Sequence, residues 1–180
     1  MSNLKKIVYF IDMIVLGWMV KFFYPRYERK FGYRLNYKIL INYAIFQKII
    51  GHHRWVPWPV HYTSIVLGYK NIVKGKNCDP GDNLSNYIQA YNGIVFGDDV
   101  EIGPGVKIIS ANHDLNDMLN ISKGTPIMIG SNVWIGANTV ILPSVNIGNN
   151  VVIGAGSIVT KDIPSNTIAA GNPCRVIRSR

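Results

Sequence analysis

Six-residue spacing runs through the second half of this chain and excludes most folds. Ile129, Ile135, Ile141, Ile147, Ile153 and Val159 recur at every sixth place. The residue after each is Gly130, Gly136, Leu142, Gly148, Gly154 and Thr160. Four places after each come Val133, Thr139, Val145, Val151, Ser157 and Ile163, all small or β-branched. The same register shows upstream in Phe96-Gly97, Ile102-Gly103 and Ile108, with Val100 and Val106 in the fourth place. A helix needs apolar residues at three- and four-residue spacing, and a half-buried strand needs plain alternation. A period of six predicts short strands joined by tight corners, with the aliphatic turned inward in every unit. The glycine that follows relieves crowding or supplies an unusual backbone angle. Three such units make one triangular coil, and coils stack at roughly 4.8 Å through parallel strand pairing. Taken alone, the period leaves the hand of the coil open, and a purely structural or ice-binding solenoid remains an alternative.

The pattern breaks once. After Ile108 the series resumes at Ile129, three places beyond a whole coil, and residues 110–126 between them are polar and irregular. That stretch reads as a loop thrown out of the prism, and long loops on rigid scaffolds tend to carry function. The expected organisation is therefore an N-terminal helical region and connector over 1–64, then a β-solenoid over 65–180 with an extruded loop at 110–126. The early coils, from about Ile65 to Tyr91, follow the period poorly.

Ahead of the solenoid, residues up to about Ile50 read as helical. Asn36 to Ile50 places Ile39, Leu40, Tyr43, Phe46, Gln47 and Ile50 on one face, with Gly51 as the stop. Ile7 to Tyr24 is almost wholly apolar behind Lys5 and Lys6, but Asp12 sits inside it and no small-residue cleavage site follows. A helix packed on its own domain, or lying on the inner membrane face with basic flanks near lipid, fits better than a span. The formal net charge is +9. Lys5, Lys6, Lys21, Arg26, Arg29, Lys30, Arg34 and Lys38 come early, and Arg175, Arg178 and Arg180 late. The middle lacks cations interleaved with aromatics, which argues against nucleic acid. Two cysteines, Cys78 and Cys174, form no CxxC or zinc spacing, so a reduced cytoplasmic protein with no metal site is expected.

The run from Ile129-Gly-Ser-Asn-Val-Trp-Ile-Gly-Ala-Asn-Thr-Val, through Gly154-Ala-Gly-Ser-Ile-Val-Thr-Lys-Asp-Ile-Pro, to Gly171-Asn-Pro-Cys-Arg-Val-Ile-Arg178 resembles the hexapeptide-repeat acetyltransferases. Within them it is most similar to galactoside and maltose O-acetyltransferases and to acetyltransferases of capsular and exopolysaccharide synthesis. The stretch from Tyr87 to Val100, with Ile109-Ser-Ala-Asn-His-Asp, resembles the polysaccharide branch. The resemblance covers roughly residues 86–178 and does not extend to the N-terminal helices. It implies a mainly β fold, a left-handed parallel β-helix preceded by N-terminal α-helices. It also implies acetyl-CoA as acyl donor, a saccharide hydroxyl as acceptor, and a homotrimer.

An alcohol is a poor nucleophile at neutral pH, so its attack on a thioester needs a base, and an imidazole with an unperturbed pKa of about 6.5 suits the task. His113 opens the extruded loop, and the family's catalytic histidine occupies the matching place. His52, His53 and His61 fall in the connector, where a structural role is expected. With no convincing Ser or Cys nucleophile, direct transfer is favoured over an acyl-enzyme. Asn112 and Asp114 flank the base as candidates to orient it or bind acceptor, and Asn92 resembles an acceptor-binding asparagine. By resemblance, the backbone at Ala137 and Ala155 contacts the pantetheine arm, and Thr160 and Lys161 lie further along that groove. Arg175 and Arg178 meet the phosphates, and Trp134 is either a channel wall or a packing residue. Competing readings are another small acceptor (serine, an amino sugar, an antibiotic) or a non-enzymatic scaffold. Metal catalysis, as in carbonic anhydrases sharing this prism, needs several histidines on neighbouring coils.

Overall fold

A computed structural model of the chain describes residues 3–28 and 35–180, without the side chains of residues 3–6. Arg29, Lys30 and Arg34 of the early basic group lie outside the described residues, as do the side chains of Lys5 and Lys6. Helix α1 (Asn3–Ile11) runs through a wider i→i+5 turn (Asp12–Leu16) into α2 (Gly17–Phe23). Helix α3 (Asn36–Ile39) likewise continues as an i→i+5 helix over Leu40–Ile50, stopped by Gly51 at φ 100°. Short strands follow: β1 (Ile65–Leu67), β2 (Ile72–Val73), β3 (Tyr87–Gln89), β4 (Ile94–Phe96), β5 (Val100–Ile102) and β6 (Lys107–Ile109). Beyond the loop come β7 (Ile127–Ile129), β8 (Val133–Ile135), β9 (Val140–Ile141), β10 (Asn146–Ile147), β11 (Val152–Ile153), β12 (Ile158–Val159), β13 (Thr167–Ala170) and β14 (Arg175–Ser179).

The strands build three sheets, ordered β1-β3-β6-β9-β12, β10-β7-β4-β2 and β14-β13-β11-β8-β5. From β3 to β12 the chain visits these sheets in strict rotation, so every third strand returns to the same sheet. All pairings are parallel except the terminal β13–β14 pair. Met128 pairs with Asn146, Trp134 with Val152 and Val140 with Ile158, each partner standing three units of six further along the chain. In the first coils the partners stand further apart than this, as Ile72 does from Ile94 and Ile88 from Ile108. Those extra corner residues are why the period fades before Tyr91.

The period marks the core. Ile129, Ile135, Ile141, Ile147, Ile153 and Val159 are at most 3% exposed, and the fourth-place residues Val133 to Ile163 are buried with them. Each large aliphatic removed from water contributes roughly 1.5–3 kcal/mol. Thr139 and Ser157, also inward, donate their hydroxyls to the Gly154 carbonyl at 3.2 and 2.6 Å, which satisfies polar groups in an apolar interior.

Of the two reasons expected for the glycine after each aliphatic, crowding is the operative one. A Cβ on Gly136 would stand 2.5 Å from the Ala155 nitrogen, and one on Gly130 would stand 2.7 Å from the Gly148 carbonyl carbon. The left-handed angle falls two residues later, on Asn132, Asn138, Ser144 and Asn150, with φ between 56° and 63°. Asparagine tolerates this region because its side chain can bond locally. Here it also bonds from coil to coil: Asn132 Nδ2 donates to Asn150 Oδ1 (2.8 Å), and Asn150 Nδ2 to Asn166 Oδ1 (2.9 Å).

The break in the period is larger than the spacing suggests. Ile108 and Ile129 lie on adjacent sheets, not one coil apart on the same one. Met128 meets Asn146 at the regular separation of three units, whereas Ile94 meets Ile127 across two and a half units more, and that excess is the insertion.

The expected helical face is also revised. Ile39, Tyr43 and Gln47 are buried, together with Ala44, but Phe46 and Ile50 are exposed. An i→i+5 helix turns through a smaller angle per residue than an α-helix, so a face drawn at 3.6-residue spacing drifts off the contact. Gln47 repays its burial by pinning the connector: Nε2 donates to the Trp58 carbonyl (2.9 Å), and Oε1 accepts from Val60 N (3.0 Å). Asp12, inside the apolar segment, accepts from Asn36 N (2.7 Å) and Tyr37 N (2.9 Å). It thus satisfies the free amides at the start of α3 from a distant part of the chain, a cap supplied by another helix. Among the described residues, no helix is long and apolar enough to cross a membrane.

Candidate functional site

The inserted loop leaves the first sheet after β6 and re-enters at β7 in the second sheet. Its two arms run antiparallel: His113 bridges Ile121, Asp114 N donates to the Asn120 carbonyl and Ser122 N to the Asn112 carbonyl, each at 2.9 Å. The tip folds back through Asp117, whose carboxylate accepts from Leu119 N (3.1 Å) and Asn120 Nδ2 (2.7 Å). This places His113 on the first arm, close to the rigid prism, with its imidazole exposed. An open cavity of about 600 Å³ is lined by Asn112, His113, Asp114, Leu115, Asn116, Met118 and Ser122.

Three side chains anchor the loop base. Gln89 Oε1 accepts from Ala111 N (3.0 Å), buried Ser110 Oγ accepts from Asn92 N (3.0 Å), and Asn92 Nδ2 donates to the Ser122 carbonyl (3.0 Å). Asn92 thus ties the outgoing and returning arms together at the corner where the His-bearing loop departs. The left-handed angle at that corner belongs to its neighbour Gly93, at φ 91°. Gln89, Ser110 and Ser122 were not legible as site residues, because they act through backbone groups of a loop that no period describes. Asp114 lies beside His113, but its Oδ1 accepts from Asn116 N (2.8 Å) and turns the loop. Among the described residues nothing hydrogen-bonds the His113 ring or the Asn112 side chain.

The residues expected along the donor groove are spread over the chain. Ala137 and Ala155 stack one coil apart at the corner between the third and first sheets, with Gly156 N donating to the Ala137 carbonyl (2.8 Å). A Cβ on Gly156 would meet nothing within 4 Å, so the backbone is open to an incoming chain there. Thr160 and Lys161 follow β12 at the corner between the first and second sheets, two coils beyond the root of the His113 loop. Trp134 points out of the third sheet between Glu101 and Val152 and is 59% exposed. Arg175 and Arg178 lie on β14, opposite Ala170 and Ile168, and are exposed. One chain therefore brings His113, Asn112, Asp114 and Asn92 together, and leaves the donor-groove candidates on two edges and one sheet.

Other reactive groups are withdrawn. Cys78 and Cys174 are buried and form no disulfide, and burial raises the Cys174 pKa above its ordinary value, keeping it protonated. No group of three or more potential metal-ligating side chains occurs among the described residues.

Three parallel sheets visited in rotation by a six-residue unit, interrupted by a single long insertion, define a hexapeptide-repeat solenoid. The family model for bacterial transferase hexapeptide (six repeats) matches residues 126–161. The galactoside O-acetyltransferase of Escherichia coli (strain K12) is 45% identical over 132 residues, covering 72% of this chain and 62% of that protein. The crystal structure of a maltose O-acetyltransferase from Clostridium difficile 630 matches with 46% identity and a TM-score of 0.57, over 62% of this chain and 60% of that one. A hexapeptide-repeat-containing acetyltransferase from Vibrio cholerae O1 biovar eltor, solved with acetyl coenzyme A, is 32% identical with a TM-score of 0.56, over 64% and 67% of the two chains. The chain belongs to the hexapeptide-repeat transferase family. It spans about three fifths of the length of the first two of these relatives.

Proposed function

We propose that this chain is a left-handed parallel β-helix O-acetyltransferase that moves an acetyl group from acetyl-CoA to a saccharide hydroxyl, as in surface-polysaccharide synthesis, with His113 as general base. In this reading residues 65–180 are the catalytic unit and residues 1–64 an appended one. One observation carries it: the single interruption of a rigid coil holds a solvent-accessible histidine over a cavity whose other polar walls are Asn112, Asp114, Asn116 and Ser122. Amide and carboxylate side chains of this kind suit a polyhydroxylated acceptor.

The chemistry follows from the groups present. His113 accepts the proton of the acceptor hydroxyl as its oxygen attacks the thioester carbonyl. The tetrahedral intermediate then collapses, the C–S bond breaks, and the imidazolium returns its proton to the departing thiolate. Backbone amides at the cleft stabilise the oxyanion. With both cysteines buried, no thiol competes for the acyl group, and transfer is direct. The open backbone at Ala155-Gly156 takes the pantetheine arm along Ala137, Thr160 and Lys161 meet the donor from the neighbouring edge, Trp134 walls the channel, and Arg175 and Arg178 receive the phosphates. The loop tip exposes Leu115 and Leu119 at 92% and 95%. A second copy in a homotrimer covers these, and so brings together on one cleft the donor contacts that a single chain holds apart. Asn112 is free to bind acceptor, while Asn92 and Asp114 fix the loop that presents the base.

Free thiol release from acetyl-CoA, followed over a panel of galactosides, maltose, amino sugars and serine, tests the acceptor class. Turnover confined to sugar hydroxyls is expected. Turnover only with serine or an amine overturns the acceptor assignment, and failure to bind acetyl-CoA in calorimetry overturns the enzyme reading altogether.

A further inference from the structure

The N-terminal helices leave an apolar surface that nothing among the described residues covers. Among the described residues of α1–α2, Tyr9, Asp12, Leu16, Gly17, Met19, Val20 and Phe23 turn inward or lie partly covered, while Phe10, Ile14, Trp18 and Phe22 are exposed. The i→i+5 helix that continues α3 exposes Ile41, Ile45 and Ile49, at four-residue spacing. A helix that is apolar nearly all round normally lies inside something, and contiguous apolar surface of this kind marks an interaction site.

Charge indicates the partner. Residues 1–64 contain ten Lys and Arg against two Asp and Glu, a net of +8, whereas residues 65–180 contain nine against eight, a net of +1. Nearly the whole excess of the protein is thus placed on the helical unit. Asp12, one of the two acids there, is buried with both carboxylate oxygens used as the cap of α3, which removes it from the outer face. Lys21 and Lys38 are exposed beside the apolar stripes. A second copy docking on this face would bring two strongly positive units together. An anionic lipid surface instead matches both features: the aromatic and aliphatic side chains enter the acyl boundary, and the cations meet headgroups.

We propose that the two N-terminal helices dock the protein on the surface of an anionic phospholipid membrane, lying on it and not crossing it. The solenoid is thereby held close to the bilayer, where lipid-borne saccharides would be presented.

The full-length protein sedimented with vesicles of phosphatidylcholine alone, or of phosphatidylcholine with phosphatidylglycerol, tests this. Binding is expected to the phosphatidylglycerol vesicles and to weaken with salt. It should fall at least about tenfold in Trp18→Glu/Phe22→Glu and in Lys21→Glu/Lys38→Glu. Both variants change exposed residues, so circular dichroism and thiol release with a soluble acceptor should match the parent protein. A parent protein that stays in the supernatant with phosphatidylglycerol at low salt overturns the proposal. So does equal binding to both vesicle types that neither double variant weakens. An oligomer without vesicles that dissociates in Trp18→Glu/Phe22→Glu identifies a second copy as the occupant and overturns it too.

Discussion

Ile135 and Ile141 of the solenoid are fully buried, each under a neighbour one coil away, while Ile14, Trp18 and Phe22 of the first helix are 59%, 65% and 75% exposed. Both regions are apolar in composition, yet the solenoid closes an interior along its length, whereas the helices bury only a small cluster of Val20, Tyr24, Ile39, Tyr43 and Ala44. The solenoid achieves this because every residue meets its partner three units on, so each coil supplies the surface that the next requires. The helices have no such repeat. They are held by that small cluster and by a few further contacts: the Asp12 cap on α3, Gln47 on the connector, and Arg26, which lies 5.1 Å from the Trp58 ring centroid. Substitutions should therefore act very differently in the two regions.

The largest contrast is expected between Ile135→Ala and Phe22→Ala. The first leaves a cavity in a closed core and should cost about 2–5 kcal/mol; the second should stay within about 0.5 kcal/mol. Urea unfolding of both variants checks this, and equal midpoints would erase the distinction. Next in size is Gly136→Ala. The added Cβ would meet the Ala155 backbone, and the coil must shift at a cost of about 1–3 kcal/mol. Its effect should appear in the unfolding of the solenoid and leave hydrogen exchange in the helices unchanged. Asp12→Ala should do the reverse, with about 0.5–2 kcal/mol lost and exchange accelerated at Asn36 and Tyr37, whose amides lose their acceptors.

The smallest expected effect is pH-dependent and belongs to the connector. Burial, and then the neighbouring His52, hold the His53 pKa below 6.5. Between that lowered value and 6.5 the unfolded chain binds more protons than the folded one, so stability falls as pH drops through this window. Tm measured from pH 7 downward should show the loss, and His53→Gln should flatten it. The solenoid, which holds no buried histidine, should not contribute.

These differences also explain what could be read from the chain. The core of the later coils was legible because Ile129 to Val159 and their fourth-place partners repeat without interruption. The early coils were not, since lengthened corners break the register between Ile72 and Ile94 and between Ile88 and Ile108. The loop was visible as a gap, and its expected bounds of 110–126 are the stretch between β6 and β7. The spacing from Ile108 to Ile129 nevertheless understates the excess over the period, because it does not say which side of the coil each occupies. His113 stood out by its residue type and its place in that gap. Its supports Gln89, Ser110 and Asn92 bond backbone groups that only the folded loop brings near, so Asn92's tie to Ser122 carried no local signal. In the helices, the i→i+5 winding turned Phe46 and Ile50 outward, against a face drawn at α-helical spacing.

In the proposed mechanism His113, presented by a loop on the solenoid, removes the acceptor proton in direct transfer. The most direct measurement is steady-state thiol release by His113→Ala, with acetyl-CoA affinity measured on the same preparation by calorimetry. A fall in kcat of about 10²–10⁴ with unchanged acetyl-CoA Kd and unchanged unfolding midpoint is expected. Turnover within a few-fold of the parent protein would contradict it.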